Sequence, residues 1–226
     1  MAQNERYRDE RGIIRVSNRP DFSDYLAHFT TNRVPYVQGS LNPTANIAVG
    51  LNARERLIRI LEEGKIKASI LPWTNRAAVC LTECPWSSLL AHSQRYSPYG
   101  LGFHKGRVFA AGGGPTYYVR ADHYKKQQWE DDLHTFVTPF WPTYRPNKLK
   151  NEDFLDGKTI DYSHEREWRV PHDFEFQLSS IEFVIVNSYE DVAQFPKHLK
   201  DEIGREKFLI MDVYKQIERL WPVHQL

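Results

Sequence analysis

The chain has 226 residues, 41% of them hydrophobic and 26% charged, with 30 Lys and Arg against 29 Asp and Glu for a formal net charge of +1. That length supports one sizeable core and is short for two, while the balanced charge removes any whole-molecule attraction to nucleic acid or anionic membrane, so a nucleic-acid partner needs a local patch. No apolar run approaches the ~20 residues of a membrane span, the start of the chain lacks a secretory pattern, and two cysteines, Cys80 and Cys84, cannot make a disulfide framework, so a reducing, cytoplasmic setting is expected.

Residues 1–20 carry many charges and few large apolar groups and read as a polar N-terminal arm. Residues 21–226 read as a single domain. Asp21 to Thr30 is a polar lead into a short strand, followed by a loop of about twenty residues up to Asn52, a length more often functional than incidental. Asn52-Ala-Arg-Glu55 supplies an N-cap with a glutamate three positions on. Leu57, Ile58 and Leu61 follow at helical spacing, and Gly64 ends the helix. Lys65–Ser69 and Ala77–Glu83 have the pattern of short strands, and Pro85 opens a brief helix through Leu89 and Leu90. Gly100–Phe103 and Thr116–Val119 read as strands flanking a turn at Gly112-Gly-Gly-Pro115, and a mainly polar helix is expected over Ala121–Phe136. After a Pro-interrupted segment from Pro139 to Pro146, Glu165–Val170 and Ile181–Val186 form two more strands, the second apolar enough to be central. A helix from Tyr189 to Ile203, a strand near Phe208–Met211 and a closing helix complete the chain. Without a regular βαβ repeat, this order predicts an α+β fold, a mixed and mostly antiparallel sheet flanked by helices.

The sharpest local signal is His164-Glu-Arg-Glu-Trp-Arg169. A strand period of two places Glu165, Glu167 and Arg169 on one face and Arg166, Trp168 and Val170 on the other. Two carboxylates so placed repel unless a cation or a ligand hydroxyl lies between them. The competing interpretation is a charged strand in which Arg169 neutralises both acids. His28-Phe-Thr30 offers an imidazole and a hydroxyl at same-face positions of a short strand, although a strand histidine is more often satisfied structurally. Cys80 and Cys84 lack the spacing of a zinc pair, and Cys80 sits in an apolar run where a small buried thiol is the ordinary explanation. Gly112-Gly-Gly-Pro115 lacks the following Lys-Ser/Thr of a phosphate loop. Among Tyr96, Tyr99, Phe103, Tyr117 and Tyr118, a ring could stack on a base or a nicotinamide, with core packing as the alternative.

The ordered series Leu26-Ala-His-Phe-Thr30, Leu57-Ile-Arg-Ile-Leu61 with Gly64, Val79-Cys-Leu-Thr-Glu-Cys-Pro85, Tyr96 to Lys105, Gly114-Pro-Thr-Tyr-Tyr-Val119 and Glu165-Arg-Glu-Trp-Arg169 resembles the AbiGi family of bacterial abortive-infection proteins. That family is labelled the antitoxin half of a two-gene phage-defence system, which implies a cognate toxin or antitoxin partner. A more distant resemblance is to DarT-like ADP-ribosyltransferases. It implies NAD as substrate, with His28 on its adenosine side, Glu167 on the nicotinamide ribose, and Glu165 completing a Glu-x-Glu pair. Thr30, Tyr99 and Arg169 join His28 as expected NAD-binding residues, and Glu167 and Glu165 are the expected catalytic pair. The acceptor is a nucleic acid or a protein, and no metal is required. A carboxylate on the ribose 2′-hydroxyl stabilises the positive charge that develops as the nicotinamide bond breaks. The alternative is a non-catalytic antitoxin or sensor that binds a partner protein or nucleotide.

Overall fold

The computed structural model describes residues 22–32, 50–83, 86–141 and 161–220. The expected N-terminal arm, residues 33–49 of the long loop, Cys84, and the Pro-interrupted segment beyond Trp141 fall outside the described residues.

The fold is α+β, built among the described residues on an eight-stranded, mostly antiparallel sheet. In chain order its elements begin with β1 (Tyr25–Phe29), α1 (Ala53–Glu63), β2 (Lys65–Ile66), β3 (Ser69–Ile70), β4 (Ala77–Thr82) and α2 (Trp86–Arg95). They continue with β5 (Gly100–His104), α3 (Lys105–Ala110), β6 (Gly114–Pro115), β7 (Tyr117–Arg120), α4 (Ala121–Tyr124), α5 (Asp131–His134) and β8 (Val137–Phe140). The last are β9 (Glu167–Val170), β10 (Phe174–Glu175), β11 (Phe183–Val186), α6 (Tyr189–Gln194), α7 (Lys197–Ile203), β12 (Phe208–Ile210) and α8 (Met211–Leu220). The main sheet runs β12-β11-β5-β1-β4-β9-β6 with β3 added to β4, and β11 with β12 is its parallel pair.

Side-chain alternation divides the core between the two faces of this sheet. Leu26, Val79, Leu81, Leu101, Phe103, Val170, Val184 and Val186 point to the larger cluster, which α1 covers with Leu57 and Leu61. Ile185, one step out of phase, packs on the other face against Leu89 of α2 and Met211 of α8, beside Phe29 and Phe183. Gly100 and Gly102 keep that second face of β5 bare. A Cβ at Gly100 would lie 2.6 Å from the His28 carbonyl oxygen, and one at Gly102 would enter the Phe183 ring, so only glycine lets β1 and Phe183 approach.

The helix α1 follows the sequence closely. The Asn52 side chain accepts from the Glu55 N–H while the Glu55 carboxylate accepts from the Asn52 N–H, and Gly64 caps the far end in the left-handed conformation at φ 59°. Other elements differ from expectation for local reasons. Between the strand at Gly100–His104 and the turn at Gly112 lies a helix the sequence reading did not assign, α3, started by the His104 ring, which accepts from the Gly106 N–H. Gly114–Pro115 is an edge strand on β9, a position where proline's missing donor costs nothing. The polar helix expected over Ala121–Phe136 is two short helices, α4 and α5, followed by a strand, β8, in which Pro139 pairs across from Val119. The helix expected from Tyr189 to Ile203 breaks at Pro196, which cannot donate within a helix.

Candidate functional site

The centre of interest is where β1 meets β4. The strands pair at Ala27↔Thr82, and further along the His28 imidazole reaches across and donates Nδ1–H to the carbonyl oxygen of Cys80 at 2.9 Å. A side chain thus stands where ladder bonding would continue, and a concave space of about 420 Å³ opens there. Its lining includes His28, Cys80, Tyr96, Glu165 and Glu167. His28 and the two late acids therefore line one cavity.

Glu165 does not reach it as a strand residue. Ser163–Glu165 form a turn of 3-10 helix, Arg166 takes a left-handed φ of 44°, and β9 begins only at Glu167. The period-two argument fails for Glu165 because the backbone reverses hand between the two acids. What brings Glu165 in is Thr82 of β4, whose hydroxyl donates to the Glu165 carbonyl. Its carboxylate, Oε1, accepts from the Tyr96 hydroxyl at 2.8 Å and from Arg95 at 3.0 Å. For Glu167 and Arg169 the alternation holds. Arg169 Nε donates to Glu167 Oε1 at 3.0 Å and its NH2 to Oε2 at 2.9 Å, a two-pronged pair. The rest of the guanidinium is spent inside the fold, on the carbonyls of Thr135 and Val137 and on the Thr138 hydroxyl. Arg169 is only 2% exposed. It ties β9 to the start of β8, a contact far from either acid in sequence.

The remaining sequence-predicted residues lie elsewhere. Thr30 is buried. Its hydroxyl donates to the Ala53 carbonyl at 2.8 Å, its N–H donates to the Tyr99 carbonyl, and its own carbonyl accepts from Ser97, so it holds β1, α1 and the start of β5 together. Tyr99 does not line the cavity with Glu167. Its ring packs against the larger core and its hydroxyl donates to Asp191 at 3.1 Å, burial and that acid pushing its pKa up to about 12.

Cys80, expected as a small buried thiol, is half-buried, lines the cavity beside Glu167 and sits opposite Arg169 in the β4–β9 register. Burial first and the Glu167 carboxylate second push the thiol's pKa well up, so it stays protonated and is a poor nucleophile. Two contributors escaped sequence reasoning altogether. Arg95 carries no motif, and it reaches Glu165 from the last turn of α2. Tyr96 stood among several aromatics with nothing in its spacing to single it out. Its ring continues a stacked row, 6.4 Å from His92, which is in turn 5.9 Å from Phe29.

His28 and His92 make the fold sensitive to acid. Both have a pKa below the ordinary 6.5, each chiefly through burial, with His164 and Arg95 adding repulsion at His92. As pH falls the unfolded chain therefore takes up protons first. The stability from keeping these rings neutral is complete above about 6.5 and is lost below it. Urea midpoints are expected to fall as pH drops from about 7.5 to about 5.5, each histidine contributing up to about 1.4 kcal/mol per pH unit. His92→Phe, which keeps the ring stack and removes the titration, flattens the slope. An unchanged slope in that variant excludes His92 as a source.

Comparison with known proteins places the chain in a family. Residues 59–208 match the family described as "Putative abortive phage resistance protein AbiGi, antitoxin". No curated protein and no solved structure matches the chain. The matched span holds Arg95, Tyr96, Glu165, Glu167 and Arg169, whereas β1, with His28 and Thr30, precedes it. With well over half of its length matched in this way, the chain belongs to the AbiGi family of abortive phage resistance proteins.

Proposed function

We propose that this chain is a non-catalytic antitoxin of an abortive-infection system that acts by binding a cognate toxin protein. The family description supports the role, and one observation in the site carries the absence of catalysis. The acids that would do chemistry are engaged by the chain's own cations. Glu167 meets Arg169 with both oxygens, and Glu165 Oε1 takes both Arg95 and Tyr96. A carboxylate already neutralised by a fixed cation has less charge to offer one developing on a substrate. The Glu-Arg-Glu-Trp-Arg segment then serves as an ion-pair lattice that fixes β9 against β8 and α2.

The test is genetic and biochemical. Growth arrest caused by the product of the neighbouring gene is relieved when this chain is co-expressed, and the two proteins co-purify. Labelled NAD mixed with the purified chain and cell lysate gives no more transferred label than a Glu167→Gln control. Label transferred by the wild type and lost in Glu167→Gln overturns the proposal.

That outcome favours a second reading, an ADP-ribosyltransferase-like effector moving ADP-ribose from NAD to a nucleic acid or protein. The observation in its favour is the common cavity of His28, Glu165 and Glu167. There Glu167 takes the ribose 2′-hydroxyl, Glu165 orients the acceptor and His28 holds NAD, while Thr30, Tyr99 and Arg169, expected to join it, lie outside that cavity with their polar groups engaged within the fold.

A further inference from the structure

A separate space opens at the other end of β4 and β9 from the cavity of His28. Its walls are Arg76 before β4, Gly112 in the turn after α3, Pro171 just beyond β9, and Asp131, Asp132 and Phe136 on and after α5. The cavity volume is about 430 Å³, in the range that takes a small molecule or a long side chain, whereas the concavity at His28 holds about 120 Å³ once open solvent is left out. Contacts inside the fold fix its floor. Arg169 donates to the carbonyls of Thr135 and Val137, on either side of Phe136, and the Phe136 carbonyl accepts from the Tyr117 N–H at 2.8 Å. The Phe136 ring lies over Gly114, 3.5 Å from where a Cβ would stand. A surface held in this way loses little backbone entropy when something binds to it.

Two features of this surface point to a protein partner. The first is apolar area left in water. The Tyr117 ring stands edge-on to Phe136 at 6.4 Å and is 51% exposed, and Leu133 of α5 is 46% exposed. An exposed ring beside a half-buried one is the kind of anchor that protein interfaces use. The second is unmatched charge. Asp131 is met by Arg76, so the fold already lays one guanidinium on this wall. The exposed side chains of Asp132 and of Glu130, just before the pair, have no partner among the described residues. A lysine or arginine side chain matches both features, its aliphatic stem against Phe136 and Pro171 and its charged head on Asp132. The same unmatched acids repel a nucleic-acid backbone.

We infer that this space between the start of β4, the Gly112 turn and α5 is the docking site of the cognate toxin, which inserts a lysine or arginine side chain there and packs apolar groups on Tyr117 and Leu133. The inference rests on the antitoxin reading and gives that reading a surface.

The experiment measures binding of the purified neighbouring-gene product to the immobilised full chain by biolayer interferometry, with growth rescue scored alongside. Asp132→Lys is expected to weaken binding about tenfold or more and to reduce rescue. Glu62→Lys, the same reversal at an exposed position of α1 that does not line this space, leaves both unchanged. Both positions are exposed, so thermal midpoints equal to the wild type show that the variants are folded. Toxin variants selected for binding to the Asp132→Lys chain are expected to carry a Lys or Arg changed to Asp or Glu, and restoration that never involves a basic residue overturns the inference. Wild-type binding that Asp132→Lys leaves intact, or that Glu62→Lys weakens equally, overturns it while the antitoxin reading stands. A wild type that neither binds nor rescues overturns both. Spermidine bound saturably by the wild type and not by Asp132→Lys, with toxin binding equal in the two, overturns it in favour of a site for small cations.

Discussion

Replacing Arg169 with Met is expected to lower the stability of the chain by about 3–5 kcal/mol, because it strips the partner from a largely buried acid. The guanidinium is 2% exposed and reaches Glu167, the carbonyls of Thr135 and Val137, and the Thr138 hydroxyl. Methionine fills most of the volume and offers no donor, so these acceptors are left facing apolar surface. Urea denaturation measures the loss, and a double-mutant cycle locates it. If the pair is a structural lattice, Arg169→Met combined with Glu167→Leu costs clearly less than the sum of the single changes, since the second substitution removes the acid that the first left unpaired. Strict additivity, or a loss below about 0.5 kcal/mol for Arg169→Met, shows that the pair does not hold β9 to β8.

Phe103→Ala is expected to cost about 3–5 kcal/mol by the same measurement. Phe103 is fully buried on β5, with the rings of Phe174 and Phe176 edge-on to it at 4.9 and 5.0 Å. Those two rings belong to the segment that closes α1. The Phe176 N–H donates to the Gly64 carbonyl at 2.9 Å, and β10 pairs with β2 at Phe174↔Ile66. Emptying the Phe103 position therefore leaves a cavity beneath the stretch that closes α1. Phe103→Leu, which refills much of the space, recovers most of the loss. A Phe103→Ala chain as stable as the wild type shows that the site collapses around the missing ring.

The helix α1 was legible because everything that makes it is local: a capping box, an apolar stripe, and a glycine free to turn left-handed. β11 was legible as a central strand because its apolar run is local, and its even and odd positions divide between two cores. The elements read wrongly share a different cause. α3 starts on a histidine ring acting as a cap, and β6 and β8 are short strands containing proline whose existence depends on the neighbour they pair with. Glu165 was assigned to a strand that begins two residues later, because a left-handed turn at Arg166 leaves little mark on composition.

The amino-acid order by itself determined the α+β class, the capped helix behind the larger core, the pairing of Glu167 with Arg169 on one strand face, and a histidine on an early strand. Only the tertiary structure decided that His28 and the acids border a common cavity, that Arg95 and Tyr96 come to Glu165, and that Arg169 reaches the start of β8. Caps and alternation act between residues a few positions apart, where the chain's own geometry sets the outcome. Cavities and long-range ion pairs are set by how strands from distant parts of the chain are ordered in the sheet, and that order follows from packing the whole core at once.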